Sequence, residues 1–307
     1  DTRGWKPVEV EHGDRFLEIL VPPGVEILGM QEFPPLARPG DEIRLSLSDP
    51  IGTRPLPEIL KAKGKPAGNV TVCIATSDIT RPVPYRGECG ILDPLLSILH
   101  GCGVRRENVI LLVGTGTHRP STPREKIAMF GERVAAEYRI LDHACDDGSM
   151  LTFLGTTRGG TVIHINRHFL EADVKIVTGL VESHFMAGVS AGRKAVCPAL
   201  VGRRTIEQFH GARFLSSPKA TNLVLAGNPC HEESLEVARK AGVDFNVNTV
   251  LNRRLELIGV FSGDLEQSHE KAVELVRRIV AIPVDREYDI VLTHGGYVGI
   301  NHYQNAK

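Results

Sequence analysis

Reactive side chains crowd into one run of this chain: Glu182-Ser183-His184-Phe185-Met186-Ala187-Gly188-Val189-Ser190-Ala191-Gly192-Arg193-Lys194, continued by Gln208-Phe209-His210. Each residue type has a use. An imidazole with an ordinary pKa of about 6.5 carries protons near neutrality. Glycines let backbone approach a ligand closely. A lysine beside another cation, as Lys194 is beside Arg193, is favoured in its neutral, nucleophilic form, although a solvated surface lysine reads the same way. His210 could bind a metal, or could sit at a helix C-terminus for dipole reasons alone. No H-E-x-x-H, E-x-x-H or cysteine ligand set accompanies it. A metal held there would have few protein ligands, and something else would have to complete its coordination.

Three more polar stretches could belong with this run. In Asp78-Ile79-Thr80-Arg81-Pro82 an acid and a guanidinium fork sit three residues apart, suited to a carboxylate or phosphate, or simply to an Asp-capped turn. Gly114-Thr115-Gly116-Thr117-His118-Arg119 offers a histidine as general base or as a loop histidine bonded to its own turn. The turn could also cradle a phosphate, but it lacks the third glycine of the dinucleotide fingerprint. Gly295-Gly296-Tyr297 and Tyr303-Gln304-Asn305-Ala306-Lys307 place Tyr303, Gln304 and Lys307 where they could face a ligand or coat a surface helix.

Positioning these residues requires strands that end beside one another. Val70 to Ala75, Val109 to Val113 and Val174 to Leu180 are mainly apolar segments, as in parallel strands buried on both faces. Each leads into one of the polar stretches. Helical patterns lie between them: around Ile91 to Leu99, after the Thr122-Pro123-Arg124-Glu125 capping box, and from Asn228-Pro229 through Lys240 to a stop at Gly242. Phe245 to Leu251 and Leu255 to Phe261 read as a hairpin across Asn252-Arg253-Arg254, and Asp264 to Ile282 as an amphipathic helix ended by Pro283. This predicts an α/β fold with a doubly wound, mostly parallel, Rossmann-like sheet and its active loops at the strand C-termini. Residues 1–52, with short apolar runs broken by Pro22-Pro23-Gly24 and Pro34-Pro35, predict a β-rich segment. Residues 1–284 then form one cofactor-binding domain, and a strand at Tyr288 to Leu292 begins a second, substrate-side α/β domain of which only 285–307 are present.

Composition narrows the partners. With 36 basic and 37 acidic residues and a net charge of −1, the 307-residue chain offers no field for nucleic acid or an acidic membrane, so a small molecule is expected. The six scattered cysteines, with no C-x-x-C pair, suit buried thiols in a reducing compartment. With no apolar run of membrane-spanning length and no signal-like N-terminus, a cytoplasmic protein is expected.

Taken together, Asp78-x-Thr80-Arg81-Pro82, Gly116-Thr117-His118-Arg119, Ser183-His184-Phe185-x-Ala187-Gly188-x-Ser190-x-Gly192-x-Lys194, His210 sixteen residues after that lysine, and Gly295-Gly296-Tyr297 with Tyr303-Gln304-x-x-Lys307 resemble the lactate racemase family. Its members are 2-hydroxyacid racemases and epimerases that depend on a nickel-pincer nucleotide. The resemblance runs from about Asp78 to Lys307. It implies an isomerase carrying nickel pyridinium-3-thioamide-5-thiocarboxylic acid mononucleotide, covalently attached at Lys194, with His210 as nickel ligand and Asp78, Arg81, Gly188 and Gly192 around the cofactor. It implies His118 and His184 as general bases, one for each mirror-image substrate, with hydride passing from C2 to the cofactor through a 2-keto acid. Arg81, Tyr303, Gln304 and Lys307 would bind the 2-hydroxy acid, and cofactor-biosynthesis proteins would load the nucleotide. Where the family often has Phe-Ser-Gly-Gly-Gly, this chain has Val189-Ser190-Ala191-Gly192-Arg193. Two other readings compete: a hydrolase with zinc on His118, His184 and His210, and a non-enzymatic module that binds the pincer nucleotide.

Overall fold

In a computed structural model, residues 2–12 and 15–293 are described. Gly295 to Tyr297, Tyr303, Gln304 and Lys307 lie outside these residues. The chain opens with an antiparallel hairpin, β1 (Lys6–His12) and β2 (Arg15–Val21), that stands apart from the main sheet. The β-rich reading of residues 1–52 holds for this hairpin and fails after it. Pro39–Ser48 is a helix, α1, with proline in its first turn, Asp41 and Glu42 favouring the dipole, and Ile43 and Leu47 buried one turn apart. Helix α2 (Leu56–Ala62) follows.

The core of the molecule is a six-stranded sheet. Its strands are β3 (Val72–Ser77), β4 (Val109–Gly114), β5 (Arg139–Asp142), β8 (Val174–Leu180), β11 (Phe245–Leu251) and β12 (Leu257–Gly263). Their spatial order is β12-β11-β8-β3-β4-β5, parallel except for the antiparallel edge strand β12. Apolar runs become central strands here because both faces are covered. Along β3, Val72 and Ile74 enter one core while Cys73 and Ala75 enter the other. In β4, Leu111 and Val113 separate from Leu112 in the same way.

Between the strands run α3 (Leu92–Gly101), α4 (Pro123–Phe130), α5 (Glu132–Glu137), a hairpin of β6 (Leu151–Thr156) and β7 (Val162–Asn166), and α6 (Arg167–Glu171). After β8 come a two-residue ribbon of β9 (Ser183–His184) and β10 (Gly188–Val189), then α7 (Arg203–Phe209), α8 (Ala212–Leu215), α9 (Pro229–Ala241) and finally α10 (Gln267–Val280). The expected caps are present. Thr122 and Glu125 complete a capping box, the Asn228 side chain accepts from the Cys230 and His231 amides, and Gly242 ends α9 at φ +73°. Tyr288 to Leu292 form no strand; Ile290, Val291 and Leu292 are largely exposed, with no neighbouring strand among the described residues to pair with. No helix among the described residues is long and apolar enough to cross a membrane. All six cysteines are unpaired.

From β3 the chain winds through β4 to β5, and from β8 it winds the opposite way through β11 to β12. The order therefore reverses between β3 and β8, where doubly wound sheets open a crevice beyond their strand C-termini. A buried hydroxyl pair closes the sheet beneath it. Thr178 Oγ1 donates to Ala75 O at 2.8 Å and accepts from Tyr85 Oη at 3.0 Å, while Tyr85 Oη accepts the Ser77 amide at 2.6 Å. Burial pushes the Tyr85 phenol up to about 12, so it remains a donor at physiological pH. Tyr85→Phe removes the acceptor of the part-buried Ser77 amide and the donor to the buried Thr178 hydroxyl, and is expected to cost about 1–3 kcal/mol in urea denaturation. A loss below a few tenths of a kcal/mol would show that this network does not hold β3 against β8.

Candidate active site

A cleft of about 210 Å³ opens at that reversal. Its lining includes Asp78 and Arg81 beyond β3, Gly114 to His118 beyond β4, and Thr178, His184 and Lys194 at and beyond β8, together with His210. Four stretches separated in sequence thus meet as the rule about strand ends predicts. Gly188 and Gly192 do not line the cleft; what they contribute is conformation. Gly188 has φ +77°, and a Cβ there would lie 2.2 Å from Val224 O; Gly192 has φ +53°, and a Cβ would press on the His269 ring.

Hydrogen bonds assign the protons on the histidines. His118 Nδ1 lies 2.6 Å from Asp78 Oδ2, and because a carboxylate only accepts, Nδ1 carries the hydrogen and Nε2 the electron pair. Burial opposes ionisation of Asp78, but bonds from His118 and from the Thr80 hydroxyl and amide outweigh it and hold the carboxyl below its usual range. His210 caps α7 and donates from Nδ1 to Ile206 O at 2.9 Å, which leaves its Nε2 as the nitrogen able to ligate a metal. His184 is arranged the other way: its Nδ1 accepts from the amides of Met186 and Ala187, each at 3.3 Å.

The charges near the cleft are partnered in ways the sequence did not announce. Arg81 Nε pairs with Glu182 Oε1 at 2.9 Å and its Nη1 donates to Thr80 O at 3.1 Å. Burial pushes the Glu182 carboxyl up, and the charges of Arg81 and Lys194 draw it partly back. Arg119 turns from the cleft onto Glu125 in a two-bond fork at 2.8 and 2.6 Å. Arg193 and Lys194, neighbours in sequence, have different surroundings. Lys194 lines the cleft, whereas the Arg193 guanidinium is buried and bonded to backbone carbonyls.

Two readings left open by the sequence are corrected. Three amides of the Gly114 to His118 turn are taken by backbone carbonyls: Thr115 N donates to Val113 O, Gly116 N to Ala199 O and His118 N to Thr115 O. A phosphate cradle needs those amides turned outward. No group of three or more metal-ligating side chains forms among the described residues, so His118, His184 and His210 share a cleft without making a zinc site. One histidine nitrogen and one lysine amine in a Gly-shaped turn fit instead a group that brings most of its own metal donors.

Behind the cleft, His269 Nε2 donates to Ser190 O at 2.8 Å. Burial, reinforced by the charge of Arg193, pushes its pKa down to about 3. Above about pH 6.5 neither the folded nor the unfolded form is charged; below it the unfolded chain takes up a proton that the folded chain refuses. Stability should therefore fall by about 1.4 kcal/mol per pH unit from this residue. His269→Gln, which can still donate to Ser190 O, should lessen the slope of stability between pH 6.5 and 5 by about that amount; equal slopes would contradict it.

A family model described as the lactate racemase N-terminal domain matches residues 12–222. The lactate racemases of Lactiplantibacillus plantarum and Thermoanaerobacterium thermosaccharolyticum are 35% and 34% identical to this chain over 269 residues, covering 87% of it and 61% of each relative. Among solved structures, the lactate racemase apoprotein from T. thermosaccharolyticum superposes with a TM-score of 0.76 at 29% identity, over 89% of this chain and 63% of that one. A protein from Thermotoga maritima, at 22% identity and a TM-score of 0.62 over 78% of this chain and 59% of its own, shares the fold. The chain thus spans about three fifths of the length of the curated relatives it matches.

Proposed function

Because the chain belongs to the lactate racemase family, we propose that it forms the cofactor-holding part of a racemase or epimerase of a 2-hydroxy acid. The observation that carries this reading is the convergence of His118, His184, Lys194 and His210 on one cleft. When bound, the nickel-pincer nucleotide supplies a reversible hydride acceptor. Lys194 would anchor it covalently and His210 would ligate its nickel, with partner proteins that build the nucleotide loading it.

Proton movement falls to the chain's own residues. His118 Nε2 takes the C2 hydroxyl proton in one binding pose, and Asp78 stabilises the resulting imidazolium through Nδ1. His184 stands for the mirror-image pose. Arg81 binds the substrate carboxylate by sharing its contact with Glu182; Tyr303, Gln304 and Lys307, which lie outside the described residues, are assigned to substrate by the family resemblance alone.

Loaded full-length protein is expected to racemise or epimerise at least one member of a panel of optically pure 2-hydroxy acids, including lactate, malate and sugar acids, followed by optical rotation. Asp78→Asn should lower kcat by roughly 100-fold or more at equal cofactor occupancy, because the wrong His118 tautomer becomes accessible. Conversion of none of the acids by loaded protein would remove the racemase reading and leave a nucleotide-binding module.

A further inference from the structure

Four backbone carbonyls of one turn converge on a single buried cation. Arg193 is 1% exposed; its Nη2 donates to Ala187 O at 2.7 Å and Val189 O at 2.8 Å, and its Nη1 to Ala191 O at 3.3 Å and Ser190 O at 3.4 Å. No carboxylate pairs with it among the described residues. A desolvated guanidinium is tolerated in such a place only while its carbonyl partners stay where they are, so the cation and the turn fix each other. The turn is held from other sides as well. Asn228 Nδ2 donates to Met186 O at 2.9 Å, and the Leu223 amide donates to Gly188 O at 2.8 Å.

Held in this way, the turn aims the amides of Met186 and Ala187 at His184 Nδ1. An amide can only donate, so that nitrogen keeps its electron pair and the one hydrogen of the neutral ring resides on Nε2. Asp78 imposes the reverse on His118, where the hydrogen is on Nδ1. We propose that the Arg193-clamped turn and Asp78 set the two cleft histidines in opposite tautomers, so that His118 presents a proton acceptor and His184 a proton-bearing donor. Arg193 is a positioning residue that acts through the turn.

The consequence for catalysis rests on the racemase reading. With the turn closed, His118 accepts the hydroxyl proton while the N–H of His184 donates a hydrogen bond to a substrate oxygen. For the mirror-image pose, His184 becomes a base only after its hydrogen moves by way of solvent from Nε2 to Nδ1, which requires both amide bonds to open. The two histidines are then interchangeable only through a movement of the turn from Phe185 to Ala191.

The test reads tautomers in cofactor-free, full-length protein. Two-bond proton–nitrogen correlations at about pH 7.5, on protein with ¹⁵N-labelled histidine, show which nitrogen of each ring carries hydrogen. Assignment uses His118→Asn and His184→Asn. Wild-type protein is expected to show His118 protonated at Nδ1 and His184 at Nε2; the same tautomer at both, or His184 protonated at Nδ1, overturns the proposal. In Arg193→Lys, His184 should become a mixture while His118 is unchanged, and a folded variant with His184 still wholly at Nε2 removes Arg193 from the account. Should that variant not fold, the wild-type spectrum alone decides whether the tautomers are opposed. Opposite tautomers in a protein that converts no hydroxy acid would leave this inference standing and remove the racemase reading, whereas turnover with matched tautomers would do the reverse.

Discussion

Strands β3 and β8 lie side by side, yet the chain leaves them in opposite directions, one half winding to β5 and the other to β12. Nothing else in the structure does as much to create a site. Helices that cover two diverging halves cannot meet across the C-terminal ends of the two strands, so a crevice must open there. The loops after β3, β4 and β8 are then obliged to share it. The hydroxyls of Tyr85 and Thr178 satisfy the backbone at the seam, where an unpaired amide would otherwise be buried.

On that floor the polar groups are arranged by partners that are themselves constrained. Asp78 is buried enough to resist ionising, and bonds from His118 and Thr80 overcome that resistance. Glu182 stands between two cations, Arg81 and Lys194, and burial raises its pKa all the same. These are the marks of a low-dielectric pocket, in which each charge depends on another and the removal of one is felt by the rest. Arg193 extends the same logic beneath the surface, with backbone carbonyls in place of a carboxylate.

Much of this was legible in the sequence where one local rule dominated. Val174 to Leu180 emerges as β8 residue for residue because burial on both faces favours a mainly apolar segment, with Lys175 at its less buried position. The caps at Thr122, Asn228 and Gly242 were legible because side-chain and φ requirements act over a few residues. Helix α1 was not, since the prolines before it suggested turns and only Ile43 and Leu47 carried the helical spacing. The β6/β7 hairpin was not read because β6 has no fully buried residue, and β7, though Ile163 and Ile165 alternate into the core, is only five residues long. In the site, the histidines and Lys194 announced themselves by type and spacing. What Arg193 does could not be read, because its four acceptors are brought together only by the folded turn, and Glu182 became the partner of Arg81 only once β3 and β8 were adjacent.

On the proposed reading, Lys194 carries a nucleotide covalently in this cleft. Intact-mass analysis of full-length protein, produced in cells able to make the pincer nucleotide and followed by peptide mapping, tests it most directly. An adduct with the mass of the nickel-bearing or nickel-free nucleotide is expected, located on the peptide containing Lys194 and lost in Lys194→Ala. A protein of unmodified mass from such cells, or an adduct that survives Lys194→Ala, would contradict it.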